Sequence, residues 1–385
     1  MAERADLLPR SDDPAAAAPP HGTGVLPYQA IQALVRDGEI AASDSIAATQ
    51  VQPASIDLRL GYTAHRVRAS FLPGETRTVA DMLAQFSMHS LDLSDDAVLE
   101  KGCVYIVPLM EGLNLSSRIS GMANPKSSAG RLDIFTRLIT DGATQFDRVP
   151  AGFGGPLFAE ISPRAFSIVV RAGSRLNQLR LRRGEPAYSD RALYRLHQER
   201  RLIDRDLEQS DVVKGLPLRV DLRREEGSRP IGFRAKKHTG LIDLDKLDHY
   251  DPADFWDPIF AERWSGLILN PGDFYILASK EAVKVPPDQA AEMVAYDTLV
   301  GEFRVHYAGF FDPGFGHEDA GATGTRAVLE VRSHEVPFLV EDGQTVGRLL
   351  YERLTDRPDR IYGAEIGSSY QRQGLTLSKQ FRPWE

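Results

Sequence analysis

Short apolar segments recur along the chain, and most of them follow the pattern of β-strands. They are rich in Val, Ile, Phe and Tyr, and glycine, proline or aspartate bounds each one. Clear examples are VYIVPL at 104–109, FSIVVRAG at 166–173, DFYILAS at 273–279 and VPFLVEDG at 336–343. Their spacing predicts a mainly β protein, built as a sandwich, jelly roll or barrel with a few short helices.

Two stretches have helical spacing instead. PYQAIQALVRDGEI at 27–40 has the apolar period of an amphipathic helix. The highly charged DRALYRLHQERRLIDRDLEQ at 190–209 predicts an exposed helical connector.

The pattern also repeats itself. GCVYIVPLME and GDFYILASKE begin 170 positions apart, and so do EISPRAFSIVVRAG and EVRSHEVPFLVEDG, which start at Glu160 and Glu330. A third match pairs Asp57 of SIDLRL with Asp221 of RVDLRR at an offset of 164. Matches in one order at nearly one offset predict two copies of the same β domain.

The predicted organisation has five parts. They are a disordered Pro/Ala-rich segment at 1–24, a first domain at 25–180, a charged helical connector at 181–214, a second domain at 215–355 and a C-terminal tail at 356–385.

Composition limits the function. The chain of 385 residues has a net charge of −8, so its surface as a whole does not attract nucleic acid or an anionic membrane. Its single cysteine, Cys103, excludes a disulfide framework and a cysteine-rich zinc site. No apolar run has membrane-spanning length, and the first residues lack the apolar core of a signal peptide. We therefore expect a cytoplasmic protein.

One polar stretch stands out against this acidic background. NPKSSAGRLDIF at 124–135 places Lys126, Ser127, Ser128 and Arg131 within six residues. The two cations supply charge, the hydroxyl groups add donors, and Gly130 allows close approach of the backbone. A solvated turn could carry the same residues, so the stretch alone indicates an anion site without identifying the anion. We call residues 126–131 the clamp.

The chain resembles the dCTP deaminases of the dUTPase-like β fold, in their long, duplicated bacterial form. The resemblance rests on GVLPYQAIQALVRDGEI, PASIDLRLG, KSSAGRLDIF, GFGGPLFAE, HYAGFFDPGFG and IGSSYQRQGLTLSK, which span most of residues 24–380. It implies two tandem distorted β-barrel or jelly-roll domains that deaminate dCTP to dUTP. It also implies sites between the subunits of a homotrimer, Mg²⁺ bound through the triphosphate, and dTTP as an inhibitor.

Deamination at C4 of cytosine requires an activated water and a proton for the departing ammonia. The zinc deaminases use an H-x-E…P-C-x-x-C signature. One cysteine cannot supply it, so we expect a zinc-free enzyme. A buried carboxylate can serve as general base and then as general acid. Glu160 and Glu330 fit that role, since each ends an apolar segment.

The two copies keep different parts of a site. The clamp aligns with YDTLVG at 296–301, which lacks both serines and the arginine, so only the first copy can grip a triphosphate. By resemblance, further substrate-binding residues are Ala143 and Asp147 in the first copy, Ala308 and Asp312 in the second, and Tyr362, Tyr370 and Gln373 in the tail.

Two arrangements would bring the clamp to a glutamate. If first copies and second copies formed separate threefold rings, the clamp would meet Glu160 of a neighbouring chain. If the first copy packed against the second, the clamp would meet Glu330, and the tail would close over the base. Alternating copies close poorly around a threefold axis, so the sequence favours a homotrimer that uses Glu160.

The sequence therefore predicts a dCTP deaminase that supplies dUTP for thymidylate synthesis. One alternative with the same fold is a dUTPase, or a bifunctional dCTP deaminase and dUTP diphosphatase, which would react at phosphorus. The other is a non-catalytic nucleotide sensor.

Overall fold

The structure, a computed structural model, describes residues 22–223, 230–261, 266–295, 303–305, 309–333, 335–363 and 374–384. Within these ranges the chain forms two β domains, which we call the first half (residues 24–183) and the second half (residues 190–354), followed by a tail segment, residues 374–384. The predicted mainly β fold with two tandem domains and a few short helices is confirmed.

The first half contains two larger sheets and one small one. Its strands are β1 (Gly24–Val25), β2 (Ile40–Ala42), β3 (Ile56–Arg59), β4 (Thr63–Val67), β5 (Ser87–Asp92), β6 (Ala97–Leu99), β7 (Val104–Asn114), β8 (Ile119–Pro125), β9 (Ile134–Thr140), β10 (Arg148–Val149), β11 (Gly154–Pro163), β12 (Ile168–Val170) and β13 (Arg175–Arg183). One sheet has the order β5-β4-β7-β11-β9 with β2 on β7. The other has the order β1-β13-β8-β10 with β3 on β13, and β6 pairs with β12.

The second half repeats this plan. Its strands are β14 (Leu216–Arg219), β15 (Gly232–Ala235), β16 (Ile242–Asp243), β17 (Trp256–Ile259), β18 (Gly266–Leu269), β19 (Phe274–Val283), β20 (Gln289–Ala295), β21 (Phe303–Val305), β22 (Phe310–Phe311), β23 (Thr325–Ser333), β24 (Phe338–Glu341) and β25 (Thr345–Arg353). The orders β17-β15-β19-β23-β21 and β14-β25-β20-β22 match the two larger sheets of the first half, and β18-β24 matches β6-β12.

Helices are few and short in the described ranges. They are α1 (Tyr28–Arg36), α2 (Val79–Phe86), α3 (Ser127–Gly130), α4 (Asp190–Arg200) and α5 (Pro252–Phe255). The predicted amphipathic helix near the start of the chain is α1, which buries Tyr28, Ile31 and Leu34. No helix in this part of the chain has the length and apolar character needed to cross a membrane.

Strand register supports the offset of 170. In the first half Glu160 of β11 lies opposite Ile106 of β7, and in the second half Glu330 of β23 lies opposite Ile276 of β19. The two glutamates therefore hold the same place in the two sheets, and only their surroundings can distinguish them.

The third sequence match needs a correction. Arg59 of β3 lies opposite Arg175, and Arg219 of β14 lies opposite Thr345. Because Arg175 and Thr345 are 170 apart, β3 and β14 are equivalent at an offset of 160, not 164. The similar DLR letters lie four residues out of step, so their aspartates are not equivalent.

The two halves interlock. Strand β16 belongs to the second half in sequence, but it pairs in parallel with β12 of the first half. Trp256 is fully buried, and its ring lies within about 6 Å of the rings of Phe166, Phe274 and Phe381. One apolar core thus contains side chains from both halves and from the tail segment.

A fully buried arginine lies at the boundary between the halves. Arg180 of β13 donates hydrogen bonds to the carbonyl oxygens of Ala291 (3.0 Å) and Phe311 (3.3 Å). Its guanidinium nitrogens also lie 3.5 Å from carboxylate oxygens of Asp312 and Glu352. All four partners belong to the second half.

The predicted connector differs in part from the structure. Strand β13 continues to Arg183, and the helix of the connector, α4, ends at Arg200. The prediction of an exposed helix is wrong, because Leu193 and Leu196 are buried in the core of the second half. The high charge of the segment hid the apolar face of α4 in the sequence.

Candidate functional site

The clamp is a single helical turn between two strands. Helix α3 follows β8 and leads into β9. The N–H of Lys126 donates to the carbonyl of Leu176 (2.8 Å), and the N–H of Arg131 donates to the carbonyl of Ser127 (3.0 Å). Lys126, Ser127 and Ser128 are half-buried, and Arg131 is buried. The short polar residues therefore remain accessible, while the arginine points into the protein.

A pocket of about 290 Å³ lies beside the clamp. Its charged and hydroxyl lining includes Lys126, Ser128, Arg175, Lys379, Asp57 and Asp245. Asp57 holds two of the cations, because its carboxylate lies 2.5 Å from Lys126 Nζ and 3.7 Å from Arg175 Nη1. Three cations gathered against two carboxylates give a local positive site on a chain of negative net charge.

The tail segment packs onto the clamp. The Ser378 hydroxyl donates to the carbonyl of Ser128 (2.9 Å), and Arg131 Nη1 donates to the carbonyl of Thr376 (3.1 Å). Leu377 and Phe381 anchor this segment in the shared core. Tail residues thus form part of the pocket wall.

The glutamate on the clamp side of the boundary is Glu330. It is buried, and burial raises its pKa to about 7, although the positive charge of Arg131 acts in the opposite direction. A guanidinium from the first half is therefore close to a carboxyl from the second half within one chain. A carboxyl with such a pKa can both take up and release a proton near neutral pH.

Asp312 approaches the same region. It is buried, and burial raises the pKa of its carboxyl against the opposing charges of Arg180 and Lys126. Tyr362 lies on the turn that follows Asp312, because its N–H donates to the carbonyl of Pro313 (2.7 Å) and its ring lies 5.6 Å from that of Phe315.

Glu160 has a different environment. It is buried on the sheet of the first half, and it accepts a hydrogen bond from Arg137 Nε at 3.1 Å as well as one from Nη2. The guanidinium carbon of Arg137 lies 3.4 Å from the ring centre of Phe146. Arg137 and Phe146, both from the first half, therefore occupy the space in front of Glu160.

In the first half, residues of the same domain occupy the region next to Glu160. The carbonyl of Ala143 accepts a hydrogen bond from the N–H of Gly74 (3.0 Å), and Asp141 accepts one from the first residue of α2, Val79 (2.7 Å). Phe71, Val79 and Met82 pack with Ala143 in one apolar cluster. The resemblance assigns the backbone of Ala143 to base recognition, but its carbonyl is already hydrogen-bonded within the chain.

Asp147 has a structural contact of its own. Its carboxylate accepts a hydrogen bond from the N–H of Leu138 (2.7 Å), and its backbone has a φ of 61°. Burial raises the pKa of Asp147 to about 7. This carboxyl therefore stabilises the turn that joins β9 to β10.

Three predicted residues, Ala308, Tyr370 and Gln373, lie outside the described residues, as does the segment 296–301 that aligns with the clamp. Their predicted roles stay predictions.

Sequence reasoning missed Arg175 and left Lys379 without a role. A signal was present in the comparison of the copies, because Arg175 is replaced by Thr345 at the equivalent position of the second half. Asp57 is likewise replaced by Pro217 once the strands are aligned at the corrected offset. The second half has therefore lost the cation and the carboxylate that flank the pocket.

The fold and the cationic pocket define a nucleotide-processing protein of the dUTPase-like class. The model of the 2'-deoxycytidine 5'-triphosphate deaminase N-terminal domain matches residues 22–185, and that of the C-terminal domain matches residues 189–381. The chain therefore belongs to the 2'-deoxycytidine 5'-triphosphate deaminase family.

Individual relatives agree with this membership. The crystal structure of 2'-deoxycytidine 5'-triphosphate deaminase from Agrobacterium tumefaciens is 54% identical, with a TM-score of 0.83 over 88% of this chain and 100% of that one. The "dCTP deaminase, dUMP-forming" of Halobacterium salinarum is 37% identical over 43% of this chain and 80% of its own. The "dCTP deaminase" of Natronomonas pharaonis is 32% identical over 41% and 75%.

The buried state of Glu330 predicts a pH-dependent stability. Because its folded pKa of about 7 lies above the usual 4.5, the folded state binds the proton more tightly, so stability is greatest below pH 4.5 and falls as pH rises towards 7. Glu330→Gln should remove the share of this decline that belongs to Glu330, about 3 kcal/mol at most, while the share of Asp147, whose pKa is also about 7, remains. Urea unfolding at a series of pH values measures it. Glu341→Gln, an exposed strand position, is the control, and a parallel pH profile for Glu330→Gln and wild type would contradict the prediction.

Proposed function

We propose that this chain hydrolyses dCTP to dUTP and ammonia at a site formed by the clamp of the first half and Glu330 of the second. The observation that carries the proposal is the buried Glu330 carboxyl, with a pKa of about 7, close to the buried guanidinium of Arg131. Family membership supplies the reaction, and the proximity of these two charged groups supports the location.

The triphosphate is assigned to the cationic pocket. Lys126 and Ser128 line this pocket, half-buried Ser127 lies between them in the chain, and Arg175 and Lys379 extend the lining towards the tail. A triphosphate displaces the contact between Lys126 and Asp57 in part, since it offers the ammonium group stronger acceptors. Arg131 is buried beside Glu330, so we assign it to the reacting end of the nucleotide.

Magnesium is assigned to the triphosphate. Among the described residues no group of three or more His, Cys, Asp or Glu side chains is arranged to hold a metal ion. Mg²⁺ usually keeps several waters and binds through substrate phosphates and one or two carboxylates. Asp57 and Asp245 line the pocket and fit that requirement. When bound, the ion neutralises phosphate charge.

The proton steps are assigned to Glu330. As carboxylate, it removes a proton from water while the oxygen adds to C4, and the proton passes to N3. It then transfers the hydroxyl proton of the adduct to the amino group, so ammonia leaves and the C4 carbonyl forms. A pKa near 7 allows one group to do both. Arg131 keeps part of the carboxylate form available, because its positive charge lowers that pKa.

Glu330 is thus favoured over Glu160, which the threefold argument preferred. Glu160 is paired with Arg137, and the chain itself fills the adjacent pocket. Because Arg131 and Glu330 lie near each other in one chain, we assign the site to a single chain. The homotrimer, inhibition by dTTP and the cytoplasmic location stay predictions.

A second candidate function is a bifunctional deaminase and diphosphatase. Several relatives, including those of Halobacterium salinarum and Pseudarthrobacter chlorophenolicus, carry the name "dCTP deaminase, dUMP-forming". In that case the same site would also hydrolyse dUTP, and a second water would attack at phosphorus.

The first prediction concerns the two glutamates. Glu330→Gln should lower kcat for ammonia release about 10²-fold or more, because amide cannot exchange the protons, while dCTP binding is kept. Glu160→Gln is the matched control at the equivalent strand position and should stay within about tenfold. Ammonia release and calorimetric binding measure both. Normal turnover by Glu330→Gln together with loss in Glu160→Gln would move the site to the first half.

The second prediction concerns the number of chains in one site. Lys126→Ala and Glu330→Gln chains, co-expressed with different tags, should show no activity beyond the sum of the separate variants. If clamp and glutamate came from different chains, random assembly would restore about a quarter of wild-type activity. The total activity of the unfractionated mixture distinguishes the two, and purification on both tags confirms that mixed assemblies formed.

The third prediction concerns the product. With dCTP as substrate, ammonia and dUTP should appear in equal amounts without diphosphate. Ion-exchange chromatography of the nucleotides and a diphosphate assay follow both. Equal amounts of ammonia, diphosphate and dUMP would establish the bifunctional alternative, and dUTP as starting substrate tests its second step directly.

A further inference from the structure

An ion pair crosses the boundary between the halves beside the candidate site. Arg332 of β23 donates from Nε to Asp133 at 3.1 and 3.4 Å, and from Nη2 to the same carboxylate. The side chain of Asp133 is fully buried, and that of Arg332 is 12% exposed. Arg332 Nη1 also donates to the carbonyl of Gly272 (2.6 Å), which ties the arginine to its own domain.

The pair is close to the reacting groups in sequence and in space. Arg332 follows Glu330 by two residues on one strand, so both side chains point to the same face of the sheet. Asp133 follows Arg131 by two residues at the end of the clamp. The pair therefore joins the same two segments that bring Arg131 to Glu330.

The backbone around Asp133 is built to hold this geometry. Asp133 has a φ of 56°, a region that costs a non-glycine residue energy unless its surroundings fix it. Its N–H donates to the carbonyl of Gly130 (2.9 Å), and its carbonyl accepts from the N–H of Arg164 (2.9 Å). The carboxylate is thus aimed across the boundary by a fixed turn.

The first half has no equivalent cation on its own glutamate strand. Position 162, which corresponds to Arg332 at the offset of 170, is a serine. The arrangement belongs to the strand of Glu330 and not to that of Glu160.

We propose that Asp133 and Arg332 are positioning residues that hold the strand of Glu330 in register against the clamp. A buried ion pair contributes little net stability, but it tolerates only one arrangement, because any slip leaves a buried charge without its partner. The proposal rests on the proposed role of Glu330. The ion pair affects the reaction through the position of Glu330 and needs no contact with the substrate.

The charges around Glu330 make the proposal testable by pH. Among the described residues, Arg131 and Asp133 face it from the first half, and Arg332 lies on its own strand; position 306, next in register on the neighbouring strand, is outside the described residues. Asp133 raises the pKa of Glu330, and Arg131 lowers it. Neutralising Asp133 or Arg332 should therefore move that pKa in opposite directions.

The experiment compares Asp133→Asn, Arg332→Gln and the double variant by the pH profile of kcat/KM for dCTP. The acid limb is the part of the profile where kcat/KM rises with pH as the catalytic carboxyl loses its proton. It should move by about half a pH unit or more, to lower pH in Asp133→Asn and to higher pH in Arg332→Gln. In the double variant it should lie near the wild-type position. In each single variant kcat should fall about tenfold or more while KM changes little, because misplacement of a catalytic group slows chemistry. Arg332→Lys should restore the position of the limb.

Arg326→Gln is the matched control. Arg326 lies on the same strand and pairs with Asp221 at 2.7 Å, but both residues belong to the second half. The acid limb of Arg326→Gln should stay at the wild-type pH, and its kcat should stay within about twofold of wild type.

Two outcomes would overturn the inference. Both presuppose that Glu330→Gln is inactive. In the first, the acid limb does not move in either single variant; in the second, it moves in the same direction in both. If Glu330→Gln itself keeps wild-type turnover, the proposed function fails instead. If one single variant does not fold, the double variant and Arg332→Lys still decide, because neither leaves an unpaired buried charge. Wild-type kcat in the double variant, which lacks the ion pair altogether, would then contradict the proposal.

Discussion

The fully buried guanidinium of Arg180 is the constraint on which the boundary between the halves depends. A buried cation is tolerated only where acceptors surround it, and here all of the described acceptors come from the opposite half. The halves therefore have one favourable way to pack. That packing places β23 beside the clamp, and the candidate site follows from it.

The two halves have the same strand plan, but each lacks a different part of the candidate site. The first keeps the cationic grip, while its own glutamate is covered by Arg137 and by the apolar cluster under α2. The second keeps a buried glutamate whose pKa is raised by burial to about 7, while its strands carry Thr345 and Pro217 where the first half has Arg175 and Asp57 of the pocket. Each half completes the other.

The sequence predicted the fold well because strand periodicity and the offset of 170 are local signals that packing did not override. It also indicated the clamp as a candidate anion site, since the density of cations and hydroxyl groups needs no tertiary information. It misaligned β3 with β14, because DLR letters recur there four residues out of step. The preference for Glu160 relied on ring symmetry between chains, whereas the contact between the halves is made inside one chain. Arg175 was missed although its replacement by Thr345 offered a signal, and the pair of Asp133 with Arg332 could not be predicted because the two residues are distant in sequence.

The hydrogen bond from Ser378 to Ser128 joins residues 250 positions apart. Closing a contact of this span costs more chain entropy than a local contact, so we expect it to form after the β domains have assembled. A partly synthesised or half-folded chain would hold the clamp without its glutamate and without the tail that walls the pocket. Such a chain would lack a group that the proposed reaction requires.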